Sequence, residues 1–360
     1  MAILELRGAR GWSRAETARR FQVEPETIAE WMRRVDDGDE SALLKTPEPV
    51  NRFPEFVRHV VRRLKTLCPT LGKKRIAQTL ARAGLHLGAT TVGRMLKEKG
   101  TLPPAESGAR AEAAEKKAQG PVRSKHPNHV WLVDLTVVPT SAGFWTAWVP
   151  FSVPQLWPFC WWGACVVDHF SRRVMGFAVF RKEPRSREVC AFLGRVVAEA
   201  RAVPRYLLSD QGRQFWCGGY RAWCRRRGIR PRYASVEGHV RATAIIERFF
   251  RSLKGEWLRR KAVPLRRGAM RRRIAAYVAW FHEHRPHQGL GGRTPEEVFL
   301  RKRPRNERAR LEPRARWPAR SGCAGPLARR RVKNFSRLAL VVRFHRGHRQ
   351  LPVVELKRVA

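Results

Sequence analysis

The sequence predicts a multidomain protein with an α-helical N-terminal region carrying a helix-turn-helix pattern, an α/β core with a mixed sheet, and a small basic C-terminal module of β type. Three observations predict it. Helical spacing punctuated by turn signals fills the first hundred residues. Period-two alternation sets in after His126. Beyond Arg301 the composition turns strongly basic before two short apolar runs, Leu338 to Val342 and Leu351 to Leu356. A chain of 360 residues is long enough for two or three cores.

Composition narrows the class. An apolar fraction of 43% argues for a folded chain. The formal charge of +44 exceeds what solubility needs, and a polyanion relieves the self-repulsion. Cys68, Cys160, Cys165, Cys190, Cys217, Cys224 and Cys323 form no Cys-x-x-Cys pair and are odd in number. That excludes a zinc finger or a disulfide framework and suits reduced thiols in the cytoplasm. The N-terminus lacks a signal-peptide pattern. Pro150, Pro154 and Pro158 interrupt the Trp-rich stretch Trp145 to Trp162, which therefore reads as no membrane span.

Taken in order, residues 1–50 hold two short helices around a three-residue turn, with Ser13 as N-cap and Pro25 at a first helical position. Ala18, Phe21, Val23, Ile28 and Trp31 form the expected core; Glu26, Thr27, Glu30 and Arg33 stay more exposed. A helix-turn-helix fits this pattern, and so does a plain helical hairpin. Residues 51–100 form a second helical region, with helices over Lys73 to Ala83 and Thr91 to Lys97 broken at Gly84. Lys73, Lys74, Arg75, Arg94 and Lys97 are its candidate phosphate contacts, and equally read as solvated faces. Residues 101–125 read as a linker.

The α/β core spans 126–300. Val130 to Val138 alternates, placing Trp131, Val133, Leu135 and Val137 on one face and Leu132, Asp134 and Thr136 on the other. Strands follow near Trp162 to Val167 and Arg173 to Phe180, then a helix over Arg187 to Arg201 and a short strand ending at Ser209. Residues 301–335 form a basic linker, and 336–360 a small β module or a tail.

Three acids stand out: Asp134 within Trp131-Leu-Val-Asp-Leu-Thr136, Asp210 within Ser209-Asp-Gln-Gly212, and Glu247 within Glu247-Arg-Phe-Phe-Arg-Ser-Leu-Lys254. On the last helix Ile246, Phe250, Leu253 and Trp257 share one stripe while Glu247, Arg251 and Lys254 share the next. A carboxylate flanked by Arg251 and Lys254 suits a metal ligand beside a phosphate track; surface charge pairing has the same spacing. Asp168 competes as a fourth acid but reads better as the acceptor shaping a tight turn. His282, His284 and His287 read as surface or DNA-facing groups rather than metal ligands. The tryptophans read as a packed local insertion in preference to base-stacking platforms.

With Asp168-His-Phe-Ser-Arg-Arg173, Arg285-Pro-His-Gln-Gly-Leu290 and the helix start Thr294-Pro-Glu-Glu297, these pieces resemble the integrase-core transposases of bacterial insertion sequences. These are Asp-Asp-Glu recombinases related to retroviral integrases, and their fold is RNase-H-like. The spacing of Asp210 and Glu247 is close to the family's usual interval. The chain departs from it in the loop Glu237 to Ala244, which has one glycine, and at Phe281-His282, where Tyr-Asn is common.

The resemblance implies a transposase that cuts element ends and joins them to target DNA, with Asp134, Asp210 and Glu247 as catalytic residues and metal ligands. The cofactor implied is a pair of Mg²⁺ ions, with Mn²⁺ as substitute. The partners implied are double-stranded DNA and further copies of the chain, at the bacterial nucleoid and not a membrane. A DNA-binding regulator without catalysis and a metal nuclease without strand joining are the alternatives.

Overall fold

The computed structural model describes residues 2–36, 53–97, 124–140, 155–234, 240–310 and 338–358. The chain divides into two compact units, one holding the described residues up to Asp36 and the other those from Phe53 onward. The linker 101–125 and the basic segment 301–335 therefore lie largely outside the described residues.

In the first unit, α1 (Ala2–Arg10) precedes α2 (Arg14–Phe21) and α3 (Pro25–Asp36). Ser13 caps α2 by accepting the Glu16 N–H at 3.1 Å, and Gln22 ends it in the left-handed region at φ 54°. Ala18 and Ile28 are buried, while Phe21, Val23 and Trp31 are half-buried. Helix α1 has little apolar patterning, which is why the sequence did not announce it.

The second unit begins with α4 (Glu55–Leu67), α5 (Lys73–Ala83) and α6 (Ala89–Lys97). Gly84 stops α5 at φ 105°, a conformation open to glycine without strain. Val57, Val61, Leu64, Ile76, Leu80 and Val92 close a small core between these helices.

The sheet contains β1 (Val130–Pro139), β2 (Cys160–Asp168), β3 (Val174–Phe180), β4 (Tyr206–Ser209) and β5 (Arg230–Tyr233), ordered β3-β2-β1-β4-β5. The first three strands are antiparallel to one another; β4 runs parallel to β1, and β5 parallel to β4. Because side chains alternate along a strand, Trp131 and Val133 enter one core while Leu132 enters the other. The first core is covered by α7 (Ser186–Ala200), α8 (Arg213–Trp216) and α9 (Gly218–Arg226). The second is covered by α10 (Val240–Ser252) and α11 (Arg267–Glu283). Gly176 permits β3 to meet α7, since a Cβ there would stand 2.4 Å from Val196 Cγ2.

Helix α12 (Pro295–Phe299) starts as its sequence dictates. Thr294 Oγ1 accepts the Glu297 N–H at 3.4 Å, and Glu297 accepts the Thr294 N–H at 2.9 Å. Strands β6 (Leu338–Phe344) and β7 (Pro352–Arg358) form an antiparallel hairpin. This hairpin packs on both neighbours. Val354 joins the core of α4 to α6, Leu351 joins that beneath α11, and Trp280 donates its indole N–H to Pro352 O at 3.0 Å. The helices α4 to α6 are likewise fastened to the sheet domain, through Arg75 to Glu256 at 2.9 Å and Arg82 to Glu297 at 2.7 Å. No described helix is long and apolar enough to cross a membrane.

Candidate active site

Strand register decides where the two aspartates stand. Leu132 of β1 pairs with Leu208 of β4 in parallel, so Asp134, midway along β1, lies at the level of Asp210, which follows the end of β4. The carboxyl ends of adjacent parallel strands are where open α/β sheets place their ligands. Asp134 also shares the face of Leu132, against which α10 buries Ile246, Phe250 and Leu253, with Trp257 in the turn that follows. That packing turns Glu247 toward Asp134. A cavity of about 460 Å³ is lined by Asp134, Thr136, Glu247, Arg251, Lys254 and Arg259.

The electrostatics tie the three acids together. Burial pushes the Asp134 carboxyl up to about 7, and the charges of Asp210 and Glu247 push the same way; the Leu135 N–H, 2.7 Å from Oδ1, and Lys254 oppose them. Burial brings Lys254 down to about 8, with Arg259 adding to the shift and Asp134 resisting it. Asp210 and Glu247 are exposed, and Asp210 Oδ1 accepts the Gly212 N–H at 3.2 Å. The three carboxylates do not all lie within 4.8 Å of one another.

The remaining candidates separate into groups. Arg251 is exposed and Lys254 half-buried at the cavity wall. Lys73, Lys74, Arg94 and Lys97 are exposed on α5 and α6, and a Cβ at Gly93 would meet Lys73 Cδ at 3.2 Å, so Lys73 leans toward α6. Thr27 is half-buried on α3, and Arg33 pairs with Glu30. None of these cations on α3, α5 or α6 lines the acidic cavity.

Asp168 is structural. Fully buried, it accepts the backbone N–H groups of Asn128 and Ser171, both at 2.8 Å, and the Ser171 hydroxyl at 2.6 Å. The surface reading of the histidines is corrected. His282 is buried and accepts the Val174 N–H at 2.9 Å, His287 packs its ring edge against Phe281 at 4.5 Å, and His284 is half-buried beside His345. Helix α11 packs against β3, α10 and the C-terminal hairpin, which enclose the histidines at its end while Glu283 stays exposed. Burial drives His282 down to about 3 and His284 down to about 4. Trp161 is buried with its indole N–H on Pro264 O at 2.8 Å, and Trp157 and Trp162 donate to Leu265 O and Gln155 O. Trp145 and Trp148 lie outside the described residues.

Sequence reasoning missed Glu256. It sits in a π-helical turn, Leu253–Trp257, that continues α10. Arg285 meets it at 2.6 Å, Arg75 at 2.9 Å and the Tyr277 hydroxyl at 2.9 Å. Beside it a cavity of about 250 Å³ is lined by Arg75, Arg172, Arg248, Arg285 and His287, on the opposite side of α10 from Glu247.

Residues 124–237 match the family described as Integrase core domain, and residues 227–295 match a second family of the same description. Together these matches span residues 124–295. Over 171 residues it is 25% identical to the transposase for insertion sequence element IS904 of Lactococcus lactis subsp. lactis (strain IL1403), a match covering 48% of this chain. The chain spans 61% of that relative's length. Among solved structures, the HTLV-2 integrase catalytic core domain in complex with magnesium is 18% identical, with 49% of this chain and 98% of that one covered and a TM-score of 0.32. The BIV integrase catalytic core is 19% identical over 48% of this chain and 95% of its own, with a TM-score of 0.35. The integrase core thus occupies the α/β sheet domain, with α4 to α6 and the hairpin packed around it.

Proposed function

We propose that this integrase core cleaves DNA at element ends and joins them to target DNA as a transposase, using divalent metal held by Asp134, Asp210 and Glu247. One observation carries the reading: burial and the charges of two further carboxylates, Asp210 and Glu247, together push a half-buried aspartate up to about 7. Such a trio is costly unless something positive enters. The donor set is all oxygen, hard and acidic, and fits Mg²⁺ or Mn²⁺. In this reading Asp134, Asp210 and Glu247 would hold the metal between them.

When bound, the two ions would supply the charge that steadies the entering and leaving oxygens at phosphorus. The chain's own residues do the rest. The Leu135 N–H fixes one Asp134 oxygen, and the Gly212 N–H fixes one of Asp210. Arg251, Lys254 and Arg259 give the cavity a cationic wall for the phosphodiester track. Lys254, already drawn down toward neutrality, gains charge stability when a phosphate lies beside it. The basic faces with Lys73, Lys74, Arg94 and Lys97, and a helix-turn-helix with Thr27 and Arg33, extend the DNA contact. Two ends must be held at once, which calls for more than one copy of the chain on DNA.

The test is incubation of the purified chain with a pre-cut element end and Mg²⁺ or Mn²⁺. Joined products support the reading. Cleavage without joining indicates a nuclease, and binding without either, unchanged in Glu247→Gln, indicates a regulator.

A further inference from the structure

We propose that Glu283, His284 and His345 form a transition-metal site, separate from the acidic cavity, that clamps the C-terminal hairpin to the end of α11. Their ligand atoms all lie within 4.8 Å of one another, and this is the one such group among the described residues. Glu283 Oε2 stands 3.5 Å from His284 Nε2, and the His284 and His345 rings meet edge to face at 62° with centroids 5.3 Å apart.

A second, independent observation points to a ligand. His345 Nε2 is buried and has no hydrogen-bond partner, although a buried ring nitrogen ordinarily finds one. That orphaned nitrogen belongs to the same His345 whose ring stands beside the His284 imidazole.

The chemistry selects the metal class. Two imidazoles and one carboxylate suit Zn²⁺ and its borderline neighbours, whereas Mg²⁺ prefers oxygen alone. Three protein ligands leave a fourth place for water. Arg82 and Arg305 face His284 from α5 and the segment after α12, Arg346 and His348 lie near His345, and Glu355 of β7 offsets them in part. Zn–N bonds of about 2.0–2.1 Å require the donors to draw in. The Glu283 side chain, 54% exposed, has room to swing, and His345 sits at the hairpin turn, where Arg346 and Gly347 both have positive φ.

The ligands come from two places in the chain. Glu283 and His284 end α11, and His345 follows β6 directly. A bound ion would therefore cross-link the hairpin to the helix that also packs on β3. Its effect on folding is separable from DNA chemistry.

The test is Zn²⁺ titration of the full chain by calorimetry, with Mg²⁺ in excess to occupy hard oxygen sites, and a parallel thermal melt. One Zn²⁺ per chain is expected, with a rise in melting temperature. His345→Gln should weaken binding by roughly tenfold or more and abolish the rise. Glu283→Gln, at an exposed position that folding tolerates, should weaken binding less. With Co²⁺ in place of Zn²⁺, visible absorption bands should appear and be lost in His284→Gln. The proposal is overturned if the parent chain binds no Zn²⁺ under these conditions, or if Zn²⁺ affinity is the same in His345→Gln and Glu283→Gln as in the parent.

Discussion

Asp134 and Glu256 are enclosed carboxylates in the same domain, and the protein treats them in opposite ways. Glu256 receives Arg285, Arg75 and the Tyr277 hydroxyl, and their charge and hydrogen bonds hold its carboxyl below the usual range despite burial. Asp134 receives one backbone N–H and the fields of two more acids, and is pushed up to about 7. A carboxylate saturated by its own protein is architecture. One left short of positive charge is poised for an ion from outside. On the cationic side, burial is the largest single influence on Arg285, yet Glu256 and Tyr277 together hold it above its ordinary range, while Arg75 stays below its own because burial and Arg285 outweigh the shared acid.

The largest expected effect breaks the satisfied partner. Glu256→Ala leaves Arg285 buried without its counter-charge and should destabilise the fold by about 3–5 kcal/mol, read by urea unfolding. A change under 1 kcal/mol would show that the network around Glu256 is dispensable.

The poised partner should behave in reverse. Asp134→Asn removes a destabilising charge and should raise stability by about 1–3 kcal/mol at pH 8 while abolishing cleavage and joining. The sign follows from the raised carboxyl. The folded protein holds a proton that the unfolded chain loses near pH 4, so the ionisation penalty grows as pH rises through about 7. The advantage of Asp134→Asn should therefore shrink as pH falls below about 7 and vanish below about pH 4. Equal stabilisation at pH 5 and pH 8 would contradict the assignment.

The histidines give a further pH effect. His282, at about 3, and His284, at about 4, are held neutral, so the stability this contributes is present above the ordinary imidazole range and is lost on acidification through their folded values. Unfolding free energy should fall between about pH 6.5 and 4, and the slope should flatten in His282→Gln, whose amide oxygen can still accept from Val174. An unchanged slope would mean His282 does not titrate in this window.

The smallest effect lies on the cavity wall. Arg251→Ala should weaken DNA binding uniformly across sequences and reduce the salt slope of log K by about 1. A sequence-dependent loss would point to base contact instead.

What the sequence made legible was local. The alternation of β1 put Asp134 opposite Trp131 and Val133, the stripe on α10 separated Ile246 and Phe250 from Glu247, and Thr294-Pro-Glu-Glu297 spelled out its own cap; each depends on residues within two turns of one another. Asp168 was readable as a turn acceptor for the same reason. The Glu256 hub was not, because Arg75 and Arg285 reach it from separate parts of the chain and leave no periodic trace. The histidines after α11 looked exposed because nothing nearby reveals that β3, α10 and a hairpin some sixty residues on enclose the end of that helix. The two-stranded end was visible as apolar runs, but its packing against α5 and α11 follows from long-range burial of Leu351 and Val354.

The central claim is that Asp134, Asp210 and Glu247 share one electrostatic site. Carboxyl-carbon NMR of selectively labelled Asp134, in the metal-free chain, tests it most directly. The account predicts a titration midpoint near 7, lowered by Glu247→Gln or by added Mg²⁺. A midpoint in the ordinary aspartate range near 4, indifferent to both, would contradict it.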